Sequence, residues 1–163
     1  MLQEFGIEFN TTTYSIFKNP VFKNLSTTKA SAINVIESDL IIESDKDSNI
    51  IQFENNYSIE GYPIRASNSN LKLYNIKMSN NIGKVSGCLF LTYTNLYAVN
   101  LTIENNFGEG SSFMHAIKEN QILIENSIIR DNAGYINTIY SLDNREDDSL
   151  VLRDCLFKDN KAF

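Results

Sequence analysis

Hydrophobic residues in this chain fall in short runs, broken at close intervals by Asn, Asp, Ser and Gly. Leu71-Lys72-Leu73, Ile122-Leu123-Ile124 and Leu150-Val151-Leu152 are typical, with apolar residues two apart and a polar stop a few positions on. Period-two alternation in runs this short predicts β-strands. No stretch sustains the i, i+3, i+4, i+7 spacing of an amphipathic helix.

The runs also repeat. An apolar residue three positions before Asn returns as Phe53 with Asn56, Met78 with Asn81, Ile103 with Asn106, Ile129 with Asn132 and Phe157 with Asn160. A weaker copy, Phe22-Lys23-Asn24-Leu25, precedes them. Successive copies lie 31, 25, 25, 26 and 28 residues apart, a period that signals a repeat architecture. Each copy follows an apolar pair closed by Asn75, Asn100, Asn126 or Asp154, and a small residue (Ser58, Gly83, Gly108, Gly134 or Ala162) stands two positions after the last Asn. A third run opens at Gly61, Ser86, Ser111 and Asn137.

Three short strands per repeat predict an all-β parallel β-helix, a solenoid of about six coils of 25–31 residues, stacked about 4.8 Å apart. Equivalent residues then lie over one another. Phe22, Phe53, Met78, Ile103, Ile129 and Phe157 become an apolar column, and Asn56, Asn81, Asn106, Asn132 and Asn160 a corner ladder. The ladder asparagines are expected in the left-handed backbone region, and the glycines after them at a second position of positive φ. The longer intervals place polar, acidic inserts at residues 43–49 and 142–149, as loops leaving a solenoid. Residues 1–14 read as a cap or partial coil, and 15–163 as β-helix with its last coil incomplete. On this reading the chain is part of a longer solenoid, or rests its end on another protein.

The pattern from Met78 to Leu89, with Asn81, Gly83, Ser86, Gly87 and Cys88 in register, resembles the Phe-x-x-Asn and Gly-Gly-Ala-Ile repeats of bacterial polymorphic outer-membrane proteins. Phe157 to Ala162 matches the first half, and residues 111–112 and 136–137 carry degraded forms of the glycine pair. The resemblance implies a right-handed β-helix of the pectin-lyase type and an extracellular or cell-surface, adhesive setting. The same folding unit serves adhesins and carbohydrate-active enzymes, so it does not choose between them.

Composition narrows the function classes. The formal net charge is -6 and the pI about 4.8, with 14 Lys and Arg against 20 Asp and Glu. That footprint lacks the clustered cations that nucleic-acid binding needs. The apolar runs are too short to span a bilayer, and the first residues lack the basic start and apolar stretch of a secretory signal.

Carbohydrate-active β-helices, which the resemblance brings in, place several Asp on one face of adjacent coils with Arg or Lys nearby. The corresponding residues are Asp131, Asp154 and Asp159, with Arg130 and Arg153, as metal or acid–base candidates. Asp131 and Asp159 also replace Asn80 and Asn105 in one column, which reads as an Asx turn. The acidic loop Asp143 to Asp148 reads as a solvated loop without the ligand spacing of a calcium site. His115, the only histidine, falls at the position of Phe90 one coil earlier and has no second His for a zinc site. Cys88 and Cys155 occupy different columns, too far apart for a disulfide.

Sequons occur at Asn10, Asn24, Asn56 and Asn100, with Asn10 the best placed for a glycan and Asn56 committed to the ladder. Tyr57, Tyr62, Tyr74, Tyr93 and Tyr97 are candidates for an aromatic strip that stacks on sugars. The expectation is a non-enzymatic scaffold or interaction module without cofactors. It would engage protein partners, or a glycan, through its lateral faces and ends, without nucleic acid or membrane insertion. The alternative is a polysaccharide lyase, hydrolase or glycan-binding domain.

Overall fold

A computed structural model describes residues 5–28, 31–45, 49–142 and 149–163. It contains 24 strands that form six coils of four. The first coil holds β1 (Phe5–Asn10), β2 (Ser15–Lys18), β3 (Val21–Lys23) and β4 (Ser26–Thr27). The second holds β5 (Ser31–Ile36), β6 (Asp39–Glu43), β7 (Ile51–Glu54) and β8 (Tyr57–Ser58), and the third β9 (Ile64–Ser67), β10 (Asn70–Tyr74), β11 (Ile76–Ser79) and β12 (Ile82–Gly83). Then follow β13 (Leu89–Thr92), β14 (Asn95–Val99), β15 (Thr102–Glu104) and β16 (Phe107–Gly108), and β17 (Ser111–Ile117), β18 (Gln121–Glu125), β19 (Ile128–Arg130) and β20 (Ala133–Gly134). The sixth coil holds β21 (Asn137–Leu142), β22 (Ser149–Arg153), β23 (Leu156–Lys158) and β24 (Lys161–Ala162).

Each strand pairs in parallel with its equivalent one coil on, giving four six-stranded sheets. The predicted three strands per coil therefore become four. The additional strand is only two residues long, below the length at which alternation is legible. Its inward position is Ser58, Gly83, Gly108 or Gly134, and there is no room for more. A Cβ on Gly83 would lie 2.1 Å from the Ser86 carbonyl oxygen, and one on Gly108 1.9 Å from that of Ser111. No described glycine has positive φ, so close backbone approach explains these glycines, and the expected second left-handed corner does not.

The apolar column pairs residue for residue as expected: Phe22 with Phe53, then Met78, Ile103, Ile129 and Phe157. Phe53, Met78, Ile103 and Ile129 have no exposed surface. The second sheet adds two inward columns, Leu40-Leu71-Leu96-Ile122 and Ile42-Leu73-Ala98-Ile124, each residue 2% exposed or less. In the first coil Phe9, Phe17 and Phe22 pack in sequence, with ring centroids 5.8 and 6.1 Å apart, and Phe22 stacks on Phe53 at 5.0 Å. In the sixth coil the equivalent inward residues Leu150, Leu152 and Phe157 are 39–41% exposed.

The ladder forms, and from Asn56 to Asn132 every amide group is fully used. The Nδ2 of Asn56 donates to Asn81 Oδ1 at 2.9 Å, Asn81 to Asn106 at 2.9 Å, Asn106 to Asn132 at 3.0 Å and Asn132 to Asn160 at 2.9 Å. The same Nδ2 atoms also donate backward, to the carbonyls of Phe22, Phe53, Met78 and Ile103. Each acceptor Oδ1 additionally takes the backbone N–H of the preceding ladder residue. Buried amides demand this complete pairing. The left-handed residues are the ones just before the ladder: Asn24, Asn55, Asn80, Asn105, Asp131 and Asp159, with φ of 53–58°. The ladder residues themselves do not carry positive φ, which corrects the expectation.

Candidate functional site

Inward columns build the solenoid, so chemistry must come from the outward ones. Strand alternation sends every second side chain outward, and coil stacking turns those side chains into columns along the axis. The four sheets present four different surfaces.

The outer face of the third sheet is ionic. Glu104 is 8% exposed and takes Lys77 Nζ at 2.6 Å together with Arg130 Nη2 at 2.6 Å and Nε at 3.0 Å. Lys77 first, then Arg130, hold its carboxyl below the ordinary carboxylate value. Lys23 pairs with Glu54 at 2.9 Å on the same face.

The first sheet carries stacked rings. Tyr62 lies on Phe90 at 4.7 Å, Phe90 on His115 at 5.6 Å and His115 on Tyr140 at 4.6 Å, all within 20° of parallel. His115 thus occupies the predicted Phe90 column. Burial lowers its pKa, and its Nδ1 is buried without a hydrogen-bond partner. The faces of the inner rings are consumed by one another, so Phe90 and His115 offer only edges to a ligand.

The fourth sheet exposes Tyr57 and Ile82, each 45% accessible, in one column with Phe107.

The second sheet holds a groove of about 610 Å³, within the range of ligand-binding clefts. Its floor is the outward column Ile41, Lys72, Tyr97, Leu123 and Val151, in strict register across five coils. One flank is a polar column of Asp39, Asn70, Asn95, Gln121 and Ser149. Within it Asn70 Nδ2 donates to Asp39 Oδ1 at 2.6 Å and Asn95 Nδ2 to Asn70 Oδ1 at 2.9 Å. On the other flank Tyr97 Oη donates to Glu125 Oε2 at 2.9 Å, and Glu125 also takes Arg153. That hydrogen bond raises the Tyr97 pKa and keeps the hydroxyl protonated. Tyr74 meets Tyr97 edge to face at 5.9 Å.

The predicted site residues divide among these surfaces. Asp131 and Asp159 occupy one corner on successive coils, and both are exposed left-handed residues. Asp154 stands at the preceding corner, also with positive φ. Arg130 is directed to Glu104 and lies 3.9 Å from Asp131, while Arg153 is directed to Glu125. Among the described residues no three His, Cys, Asp or Glu side chains are grouped to hold a metal. The acidic loop 143–148 and residues 46–48 of the other insert lie outside the described residues.

The five tyrosines do not form one strip. Tyr62 precedes β9 and stacks on Phe90 of the first sheet, Tyr74 and Tyr97 belong to the second sheet and Tyr57 to the fourth, and Tyr93 sits at a corner under Lys118. Cys88 is buried and Cys155 partly so, both as free thiols, and burial pushes the Cys88 pKa well up. Asn56 is 7% exposed within the ladder, whereas Asn10, Asn24 and Asn100 are exposed. No helix of the described residues is long and apolar enough to cross a membrane.

Sequence reasoning missed the groove, and also a buried hydroxyl column. Ser38 Oγ accepts Thr12 N–H at 3.0 Å, Ser69 Oγ accepts Ser38 N–H at 3.2 Å, and Thr94 N–H donates to Asn120 Oδ1 at 3.0 Å. The signal was a Ser or Thr directly after each left-handed residue Glu37, Asn68 and Tyr93. Compared with protein families, curated proteins and solved structures, the chain matches none of them.

Proposed function

We propose that this chain is a non-enzymatic β-solenoid interaction module, of the adhesin-like kind that its resemblance to polymorphic outer-membrane repeats suggests. It binds an extended segment of a protein partner along the groove of the second sheet. The observation that carries the reading is the composition of that groove. Along the axis apolar Ile41 is followed by Lys72 and Tyr97 and then by apolar Leu123 and Val151, beside amides able to donate and accept. Such a floor suits an elongated partner with apolar side chains and one carboxylate opposite Lys72. The arginines beside Asp131 and Asp154 are engaged with Glu104 and Glu125, which favours a scaffold over a catalytic constellation.

A second reading is a glycan-binding or glycan-cleaving groove. The amide column Asn70-Asn95-Gln121 favours it, since its steps follow the coil rise of about 4.8 Å, comparable to the advance of an extended sugar chain. One experiment separates the two. A photo-crosslinking residue is placed at Leu123, and for comparison at Lys77 on the third sheet, in an extract of the source cells. A discrete protein adduct from position 123 alone, lost with Tyr97→Ala plus Lys72→Glu, supports the first reading. Release of reducing ends or unsaturated products from uronate polymers, abolished by the same Tyr97→Ala plus Lys72→Glu, overturns it.

A further inference from the structure

Exposed apolar side chains occur on several faces of this solenoid, and on the fourth sheet they line up. The outward residue of its strands is Tyr57, Ile82, Phe107 and Ala133 in coils two to five, paired in register from coil to coil. Tyr57 and Ile82 are each 45% exposed. Phe107 is half-buried, and Tyr135 meets its ring edge to face at 5.5 Å. A second column stands beside this stripe, two residues further along each coil: Ile59, Lys84, Glu109 and Tyr135, all of them exposed. Lys84 and Glu109 lie on neighbouring coils, yet among the described residues neither forms an ion pair. A contiguous apolar stripe edged by unpaired charges marks an interaction surface, and here the order of the residues specifies the partner.

Both columns are complementary to their own reverse. Turned about a point midway between coils three and four, the second column sets Lys84 against Glu109 and Ile59 against Tyr135. The stripe sets Ile82 against Phe107 and bulky Tyr57 against small Ala133. A two-fold axis that lies in the contact plane and crosses the solenoid at right angles performs this reversal, so that each residue meets its counterpart twice.

We propose that the fourth sheet is the contact surface of an antiparallel homodimer, with its two-fold axis between the third and fourth coils. Two Lys84–Glu109 ion pairs then stand beside an apolar centre of two Ile82–Phe107 contacts. A two-fold axis along the solenoid would instead turn the charged column toward the exposed corner amides Asn80 and Asn105 on the far side of the stripe, leaving both charges unpaired. The stripe spans about 14 Å, three steps of about 4.8 Å. The interface is therefore at the small end of specific contacts and the dimer is reversible. Coils two to five each have a neighbour on both sides, so this surface belongs to the interior of the solenoid. It is separate from the groove of the second sheet, and either proposal can fail without the other.

Sedimentation velocity over a concentration series tests the dimer, with far-UV circular dichroism and melting to establish that each variant is folded. The unmodified chain is expected to dimerise. Lys84→Glu and Glu109→Lys, each alone, bring like charges together at both symmetric contacts and should weaken dimerisation about tenfold or more. Mixed in equal amounts, the two single variants should associate again, because the mixture restores opposite charges at both contacts. The chain carrying both substitutions should recover for the same reason. A chain that stays monomeric throughout the series overturns the proposal. So does association that neither single substitution weakens, or a mixture that associates no better than its components, since the contact would then lie on another surface or in another register.

Discussion

Two of the amide columns that run along this solenoid do opposite things. The corner ladder from Asn56 to Asn160 is buried through Asn132, and its four successive amide contacts are each 2.9–3.0 Å long. The column Asp39-Asn70-Asn95 on the second sheet has the same residue type and the same coil-to-coil hydrogen bonds, at 2.6 and 2.9 Å, yet Asn70 and Asn95 are exposed. In the first, water cannot replace a lost partner; in the second it can at once. Repetition of a residue thus does not by itself mark scaffold. Burial decides, and the exposed column is free to serve recognition.

The sharpest way to break the comparison is to delete one amide from each column. Asn106→Leu removes the oxygen that takes Asn81 N–H and Nδ2–H and the donor that serves the Met78 carbonyl. Three buried groups lose partners, so denaturant unfolding should show a loss of roughly 3–9 kcal/mol, at about 1–3 kcal/mol for each unsatisfied group. Next comes Gly108→Ala, one coil corner away. Its Cβ is driven into the Ser111 backbone, and the same measurement should show a loss of about 1–3 kcal/mol from overpacking.

The ion column of the third sheet gives a smaller, pH-dependent effect. Because Lys77 and Arg130 depress the Glu104 pKa below the ordinary carboxylate value, the folded chain binds the Glu104 proton less readily than the unfolded chain. Its stabilisation is complete above the unfolded value and is lost as pH falls through the folded one. Glu104→Gln should flatten the acid limb of a stability-versus-pH curve and leave the curve's shape near pH 7 unchanged. Smallest of all is Asn95→Ala, expected within about 0.5 kcal/mol of the unmodified chain in the same unfolding assay. The comparison sharpens if that variant, fully stable, nonetheless weakens the crosslinking of a groove partner from position 123.

What the sequence made legible follows the same division. The apolar column and the ladder were readable to the residue, even across the irregular steps from Phe22 to Phe53 and from Ile129 to Phe157, because buried positions tolerate few side-chain types. The two-residue fourth strand was not, since a single inward glycine or serine carries no alternation. A glycine was equally compatible with positive φ and with a backbone contact, and only coordinates distinguish them, as at Gly83 and Gly108. The groove was invisible for a further reason. Its floor changes from Ile41 to Lys72 to Tyr97 to Leu123, and a column under no common packing constraint shows no pattern to read. The aspartates drew attention as breaks in a column. Asp131, Asp154 and Asp159 all proved to sit at left-handed corners, where Asn and Asp substitute for one another on backbone grounds.

The ladder has one more consequence, in the order of assembly in time. Its longest reach, from Asn56 Nδ2 back to the Phe22 carbonyl, is 34 residues, and no ladder bond connects coils that are not neighbours. Closing such a loop costs a similar, modest entropy at every step. Each coil can therefore dock on the one before it as soon as its own asparagine is available. Growth of the fold in the direction of synthesis needs no residue that has yet to be made.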